Sequence, residues 1–313
     1  MIETLQIENF KSIKHLDLSC KKVNVFIGEP NAGKSNIIEA LSLFSMKNHN
    51  LRNFVRFQNL TDLYFDNQTQ KDVVINIGIE SCIIRYDNER FLFEFNSGGR
   101  GAFDISGNIS QQGVLSISPV KYYKYKSEGG TNGGQPGALI APFGENLVSV
   151  ILSNSEFKNL VTEIFKSKGF RLNIKPVERE MLISKEKNDE IYSYSYNNIS
   201  ETLKRIIFFM ASLETNQNTA LIFDEPEANT FPFYTKYFAE RIAFNETNQF
   251  FFTTHNPYLL ESIVAKTSFA DLNVSIAYME NYETKLRILN KEEVIELMDL
   301  DIFFNLKRYT EAG

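Results

Sequence analysis

The chain has 313 residues, of which 43% are hydrophobic and 23% are charged, and these values are ordinary for a globular protein. They exclude a wholly disordered, collagen-like or coiled-coil protein. Acidic residues outnumber basic ones by 39 to 33, a net charge of −6, so a general basic surface for nucleic acid is absent, although a local basic groove stays possible. The length predicts two domains, or one α/β domain that carries an insertion.

Aromatic residues are numerous and cysteines are few. With 27 Phe, 14 Tyr and no Trp, either the core is built on Phe or some rings face a partner. The two cysteines, Cys20 and Cys82, show no metal-ligand spacing and are too few for a disulfide framework. No secretory signal and no membrane-spanning apolar run is visible, so we expect a cytoplasmic protein without a membrane partner.

The first third of the chain predicts strands and one helix. Residues 1–27 alternate as strands do and end in the apolar run Val23–Ile27, and the alternation returns from Asp72 to Phe95. Residues 35–45 predict a helix with one apolar face, formed by Ile37, Ile38, Leu41 and Phe44.

The middle of the chain is rich in glycine. Residues 96–137 hold ten of the sixteen glycines, and we expect an irregular, mobile excursion there with one strand-like piece, Val114 to Lys126. Residues 138–190 predict an inserted helical segment, in which Asn154 or Ser155 caps a helix that Gly169 ends, followed by two short strands.

From Ile199 helices and strands alternate, a pattern typical of an α/β fold. The predicted elements are a helix to about Leu213, a strand Thr219–Phe223, a helix 232–244, a strand Gln249–Thr253, a helix from Pro257 to about Val264, a strand pair near 273–289 and a final helix from Lys291.

The strongest motif is Gly28-Glu29-Pro30-Asn31-Ala32-Gly33-Lys34-Ser35, which matches the phosphate-binding loop pattern GxxxxGK[ST] in full. An apolar strand precedes it and an amphipathic helix follows it, as the pattern requires. Backbone N–H groups and the helix N-terminus are expected to hold phosphate oxygens, Lys34 to reach the β- and γ-phosphates, and Ser35 to bind Mg²⁺. The predicted nucleotide contacts here are Glu29, Pro30, Asn31, Ala32, Gly33, Lys34, Ser35 and Asn36.

Two further motifs follow apolar strands. The strand 220–223 ends in Asp224, which is expected to hold Mg²⁺ through water, and Glu225, which points differently and could polarise the attacking water. Alone, such an acidic pair most often belongs to a solvated loop. The strand 250–253 leads to His255, a candidate γ-phosphate sensor with a structural histidine as the alternative, whereas we expect His15 and His49 to be surface residues.

Together these motifs resemble the ATP-binding-cassette type of ATPase, in the branch that contains the overcoming-lysogenization-defect (OLD) nucleases, the recombination-factor F proteins and the structural-maintenance-of-chromosomes (SMC) heads. The resemblance rests on Gly28–Ser35, Asp224–Asn229 and Thr253–Pro257, which occur in the family's order. The segment Ile7–Ile13 is similar to that branch's first strand turn, and Pro142–Leu147 to an element of OLD-like ATPases.

The resemblance implies an α/β P-loop NTPase fold with a mostly parallel central sheet, an antiparallel β subdomain and a helical insertion. We expect one ATPase domain over residues 1–313, the β subdomain at 72–137 and the insertion at 145–195. It further implies ATP and Mg²⁺ as ligands, and a homodimer or higher homo-oligomer in which two chains sandwich two ATP molecules. The implied site residues are the catalytic Glu225 and His255, the metal-binding Ser35, Asp224 and Gln58, the nucleotide contact Lys11, and Ser200, which caps the γ-phosphate bound to the opposite chain.

Two departures from the family pattern bear on activity. Thr202 stands where the signature motif usually has a glycine, and its side chain limits how closely backbone and phosphate can approach. Thr230-Phe231-Pro232 replaces the usual Leu-His-Pro. The sequence therefore predicts a slow ATPase.

The leading functional hypothesis is an ATPase that dimerises on ATP and regulates a separate effector, a nuclease, in bacterial defence against phage or plasmid DNA. It rests on the family resemblance, and we expect no Toprim nuclease domain of the OLD type within residues 1–313. The alternatives are a nucleotide-gated module for DNA repair or maintenance, in which DNA binds directly, and a weakly active ATPase that serves as a scaffold.

Overall fold

A computed structural model describes residues 1–47, 49–112, 119–127, 134–300 and 302–310. The chain divides into two compact units. The first comprises Met1–Tyr122, Asn218–Glu227 and Ile242–Gly313, and the second comprises Tyr123–Gln217 and Ala228–Arg241.

The described strands and helices are as follows, in chain order. The strands are β1 Thr4–Phe10, β2 Ile13–Ser19, β3 Val23–Ile27, β4 Val73–Ile77, β5 Glu80–Asp87, β6 Arg90–Phe95, β7 Arg100–Phe103, β8 Ile109–Gln112, β9 Val120–Tyr123, β10 Arg171–Lys175, β11 Glu180–Lys187, β12 Glu190–Ser195, β13 Ala220–Asp224, β14 Gln249–Thr253, β15 Leu272–Glu280 and β16 Glu283–Ile288. The α-helices are α1 Lys34–Ser42, α2 Leu147–Ser153, α3 Ser155–Lys166, α4 Glu201–Thr215, α5 Pro232–Ala243, α6 Pro257–Lys266, α7 Lys291–Asp299 and α8 Lys307–Thr310.

A six-stranded sheet with the order β16-β15-β3-β14-β13-β9 forms the centre of the first unit. Strands β15, β3, β14 and β13 run parallel, and β16 pairs antiparallel with β15. All five residues of β3 and of β14 are buried, which explains why these mostly apolar strands show no alternation between buried and exposed residues. The mostly parallel α/β sheet predicted from the sequence is confirmed.

The first unit also contains an antiparallel seven-stranded sheet with the order β2-β1-β4-β5-β6-β7-β8. Buried and exposed residues alternate in β1, and buried and half-buried residues alternate in β4. The buried residues of both strands share one core cluster with the apolar face of α1. Ile37, Ile38 and Leu41 of that face are fully buried, as the helical spacing predicted. Cys82 is buried and Cys20 half-buried, and both are free thiols.

The expectation of an irregular excursion at 96–137 was wrong for part of that segment, because β7 and β8 lie within it, whereas β9 falls inside the predicted strand-like piece Val114 to Lys126. Gly101 is part of β7, where a Cβ atom would lie 2.2 Å from the carbonyl oxygen of Ser110 and 2.7 Å from the Phe93 ring. This glycine therefore permits close strand packing instead of marking a loop. Residues 113–118 and 128–133, with much of the predicted strand from Val114 and of the second glycine cluster, lie outside the described residues.

In the second unit, α2, α3 and α4 accompany a three-stranded antiparallel sheet with the order β10-β11-β12. Asn154 caps α3, since its side-chain oxygen accepts a hydrogen bond of 2.9 Å from the backbone N–H of Phe157. Strand β12 follows the two short strands predicted for this segment. Its first five residues are exposed, so the alternation of Tyr192, Ser193 and Tyr194 marks no buried face.

Among the described residues, no helix is both long enough and apolar enough to cross a lipid bilayer.

The excess of phenylalanine is largely a property of the core. We expect Phe252→Ala, which empties a fully buried position in β14, to lower the free energy of unfolding by about 3–5 kcal/mol, because lost burial and a residual cavity add together. The control Phe244→Ala removes a side chain that is 64% exposed and should change stability by less than about 0.5 kcal/mol. Urea denaturation of the two variants measures the difference, and equal midpoints would contradict this account of the core.

Candidate nucleotide-binding and catalytic site

The loop between β3 and α1 is held in a conformation that needs glycine at two positions. Gly28 and Gly33 have φ values of 150° and 90°. A Cβ atom would lie 2.2 Å from the carbonyl oxygen of Ala277 at the first position and 2.0 Å from Thr284 Oγ1 at the second. Strands β15 and β16 thus press against the loop, and only glycine permits both the backbone geometry and the contact.

A polar network underlies the start of α1. Ser12 Oγ lies 2.6 Å from Thr284 Oγ1 and accepts a hydrogen bond of 2.7 Å from the side-chain amide of Asn36. The backbone N–H of Thr284 also donates to the carbonyl of Ser12, at 2.7 Å. The amide of Asn36, a predicted nucleotide contact, is therefore engaged in fixing the helix start.

Lys34 lies over its own loop. Its ammonium donates hydrogen bonds of 2.8 Å to the carbonyls of Gly28 and Glu29, and the residue is only 5% exposed. Burial lowers the pKa of Lys34, and the carboxylates of Glu225 and Asp224 act in the opposite direction. The loop therefore encloses a positive charge at its centre, whereas Glu29, Pro30 and Asn31 are exposed along its outer side.

Asp224, at the end of β13, joins two hydroxyl groups. Its Oδ1 accepts hydrogen bonds from Ser35 Oγ at 3.3 Å and from Thr253 Oγ1 at 2.5 Å. Carboxylate and hydroxyl oxygens side by side at a phosphate-binding loop suit Mg²⁺, which binds one or two protein groups together with substrate phosphates. Thr253 was missed by the sequence reasoning, although the parallel pairing of β13 and β14 places it opposite Asp224.

Glu225 and His255 face each other. His255 Nε2 lies 3.3 Å from Glu225 Oε1, and the backbone N–H of Glu225 donates to Thr253 Oγ1 at 3.0 Å. Burial and the charge of Lys34 lower the pKa of His255, while Glu225 and Asp224 raise it, so the net shift favours a neutral imidazole. His15 has an exposed side chain next to Asp17, and His49 is half-buried.

Lys11 is bound to a carboxylate that the sequence reasoning did not single out. Its ammonium lies 2.5 Å from Glu39 Oε2 and donates a hydrogen bond of 2.9 Å to the carbonyl of Arg56. Glu39 stands one helical turn after Ser35 and is also bound by Arg56 Nε, at 2.6 Å. Burial lowers the pKa of Arg56, but the negative charges of Glu39 and, more weakly, Asp224 raise it. The net shift of this pKa is upward.

Gln58, a predicted metal ligand, is exposed, and its backbone N–H donates to Asp62 at 2.8 Å. In the part of the chain that the structure describes, no contact joins Gln58 to Ser35 or Asp224.

Ser200 belongs to the second unit, where it is exposed and caps α4. Its Oγ accepts a hydrogen bond of 3.4 Å from the backbone N–H of Leu203. Thr202 Oγ1 donates to the carbonyl of Asn229 at 2.9 Å. The side chain that replaces the signature glycine thus has a local partner of its own.

Comparison with known proteins places the chain in a family. Residues 1–205 match the family AAA_15, described as an AAA ATPase domain. A curated relative, the "Uncharacterized protein MJECL10" of Methanocaldococcus jannaschii, is 28% identical over 108 residues, which cover 29% of this chain and 49% of that protein. The chain thus matches about half the length of this relative.

Two solved structures share the fold. One is an SMC head bound to the C-winged helix domain of ScpA, with a TM-score of 0.54 and 17% identity, covering 93% of this chain and 98% of that one. The other is an SMC head domain with an extended coiled coil bound to the C-terminal domain of ScpA, derived from Pyrococcus furiosus, with a TM-score of 0.53, 14% identity and coverages of 95% and 98%. The predicted resemblance to SMC-like P-loop ATPases is confirmed, and the chain belongs to the AAA ATPase domain family AAA_15.

Proposed function

We propose that this chain binds ATP with Mg²⁺ at the loop 28–35 and hydrolyses it with Glu225 and His255. The observation that carries the proposal is the meeting of a buried ammonium, a serine–aspartate pair and a glutamate–histidine pair around one loop. These are the groups that phosphoryl transfer needs: positive charge at the phosphates, oxygen ligands for a cation, and a residue that orients water.

Each group would perform a separate task. The ammonium of Lys34 would exchange its loop carbonyls for phosphate oxygens, and the N-terminus of α1 would add its positive end. Ser35 and Asp224 would hold Mg²⁺, which when bound supplies charge neutralisation at the β- and γ-phosphates. Glu225 would accept a proton from the attacking water, and the neutral His255 beside it would contact the γ-phosphate.

We further propose that two copies bind ATP head to tail, with Ser200 of each chain completing the site of the other. The exposed cap position of Ser200 and the two-fold symmetry common among oligomers support this arrangement. The division into one ATPase domain with a β subdomain at 72–137 and an insertion at 145–195 stays a prediction, as do the nucleotide contact Lys11 and the ligand Gln58.

The output of such a site is a change of assembly state that a partner protein can sense. The two SMC heads that share the fold are bound to ScpA, which supports a protein partner for this chain as well. A nuclease as that partner, and a role in defence against phage or plasmid DNA, stay predictions from the family resemblance. The Thr202–Asn229 hydrogen bond favours a second candidate, a slow ATPase that acts as a scaffold.

We expect Lys34→Ala to weaken ATP binding about 100-fold, because a charge-assisted contact to phosphate worth about 2–3 kcal/mol is lost. Isothermal titration calorimetry with ATP and Mg²⁺ measures the affinity. Lys266→Ala, which removes an exposed ammonium in the last turn of α6, serves as the control and should bind ATP normally. Ordinary affinity in the Lys34 variant would refute the nucleotide site.

We expect Glu225→Gln to lower ATP turnover by about 100-fold or more while ATP affinity changes little, because the amide cannot accept the proton of the attacking water. Light scattering coupled to gel filtration should then show a dimer that persists with ATP and Mg²⁺. The control Glu246→Gln changes an exposed carboxylate and should behave as the wild type. Undiminished turnover would exclude Glu225 as the base, and a monomer with bound ATP would exclude the sandwich.

A further inference from the structure

Glu227 is a buried carboxyl group close to the catalytic pair, and the proposed chemistry gives it no role. It follows β13 by three residues and is only 6% exposed. Its Oε1 accepts a hydrogen bond of 2.6 Å from Thr254 Oγ1 and one of 3.3 Å from the backbone N–H of His255. One carboxylate oxygen therefore joins the segment after β13 to the segment after β14.

The contact continues into α6. Thr254 is fully buried, and its Oγ1 accepts a hydrogen bond of 3.0 Å from the backbone N–H of Asn256. The side-chain oxygen of Asn256 caps α6 by accepting the N–H groups of Tyr258 at 2.9 Å and Leu259 at 3.3 Å. The backbone of residues 254–256 is thus fixed at both ends, by Glu227 on one side and by the helix on the other.

His255 is the central residue of this fixed segment. Its backbone N–H is bound by Glu227, and its ring nitrogen Nε2 lies 3.3 Å from Glu225 Oε1. The same short segment 224–227 therefore presents one glutamate to the ring of His255 and another to its backbone. We infer that Glu227 is a positioning residue that sets the imidazole of His255 against Glu225.

A role confined to stability explains this carboxyl group poorly. Burial raises the pKa of Glu227 to about 7, against the effect of the hydrogen bonds from Thr254 and His255, so the ionised form is disfavoured where the side chain lies. A carboxyl group whose ionised form is disfavoured by burial, and whose oxygen binds the backbone of His255, is better explained by what it positions.

The inference rests on the proposed function for its effect on hydrolysis, but its structural part can be measured without ATP. The chain has three histidines, so protein labelled with ¹³C at histidine Cε1 gives three side-chain NMR resonances, which His15→Gln and His49→Gln assign. In Glu227→Ala the His255 resonance should move, and the pKa of His255 should rise toward its ordinary value of 6.5, because the ring leaves the position where burial and Lys34 lower it.

Two matched variants separate position from charge and from folding. Glu227→Gln removes the ionisable group but keeps an oxygen that can accept from Thr254 and His255, so the His255 resonance should stay near its wild-type position. Thr254→Val removes the hydroxyl and should shift it as Glu227→Ala does, which also keeps the test valid if the alanine variant fails to fold. Thr267→Val, at the other end of α6, is the control and should leave it unchanged.

Steady-state kinetics then tests the link to hydrolysis. Glu227→Ala should lower kcat about tenfold or more with KM within about twofold, whereas Glu227→Gln should lower kcat less than about threefold. In a His255→Ala background, Glu227→Ala should cost less than a further twofold, since a residue that acts through His255 has nothing left to position. The inference is supported when the His255 resonance and the values of kcat both change as stated.

Three results would overturn it. An unshifted His255 resonance in Glu227→Ala and Thr254→Val would show that Glu227 does not position the ring. A resonance that shifts as much in Glu227→Gln as in Glu227→Ala would assign the effect to charge. A full additional loss of kcat in the His255→Ala background would show that Glu227 acts by another route. Absence of ATPase activity in the wild type would refute the proposed function but would leave the NMR result to decide the position of His255.

Discussion

The parallel pairing of β3, β14 and β13 is the constraint on which the rest of the site depends. The register sets Thr253 opposite Phe26 on one side and opposite Asp224 on the other. Because the carboxyl ends of parallel strands meet at one edge, the loop after β3 becomes a neighbour of two segments that lie about 200 residues later in the chain. The serine–aspartate pair, the contact of Thr253 with Asp224 and the glutamate–histidine pair all lie at that edge.

A good part of this arrangement could be predicted from the sequence. The apolar runs before Gly28, Asp224 and Thr254 indicated buried strands, and the family resemblance implied that they run parallel. The loop motif fixed the order of strand, loop and helix. Different directions for the Asp224 and Glu225 side chains were expected because successive residues of a strand point to opposite faces. These inferences succeed because they depend on local spacing alone.

Other features could not be predicted from the sequence, because they depend on which segments meet in space. The residues around Thr284 contain no pattern that predicts its hydroxyl group at the place where a Cβ atom of Gly33 would be. The pairing of Lys11 with Glu39 joins a turn to a helix, and no periodic pattern connects the two. Strand β12 is exposed on both faces, so no buried face marks it. Gly101 of β7 was mistaken for a loop residue, because glycine is required both in turns and in close strand packing, in each case for its lack of a Cβ atom.

Lys34 hydrogen-bonds to carbonyls of its own loop, and this affects both the affinity for phosphate and the stability of the fold. An ammonium that is already removed from water by its own loop incurs the desolvation penalty when the chain folds, not when a ligand arrives. A phosphate would therefore lose little binding free energy to stripping water from the lysine, but it would have to replace the two loop carbonyls that Lys34 already binds. The corresponding disadvantage falls on the folded state, which keeps a buried positive charge that a purely structural loop would not contain.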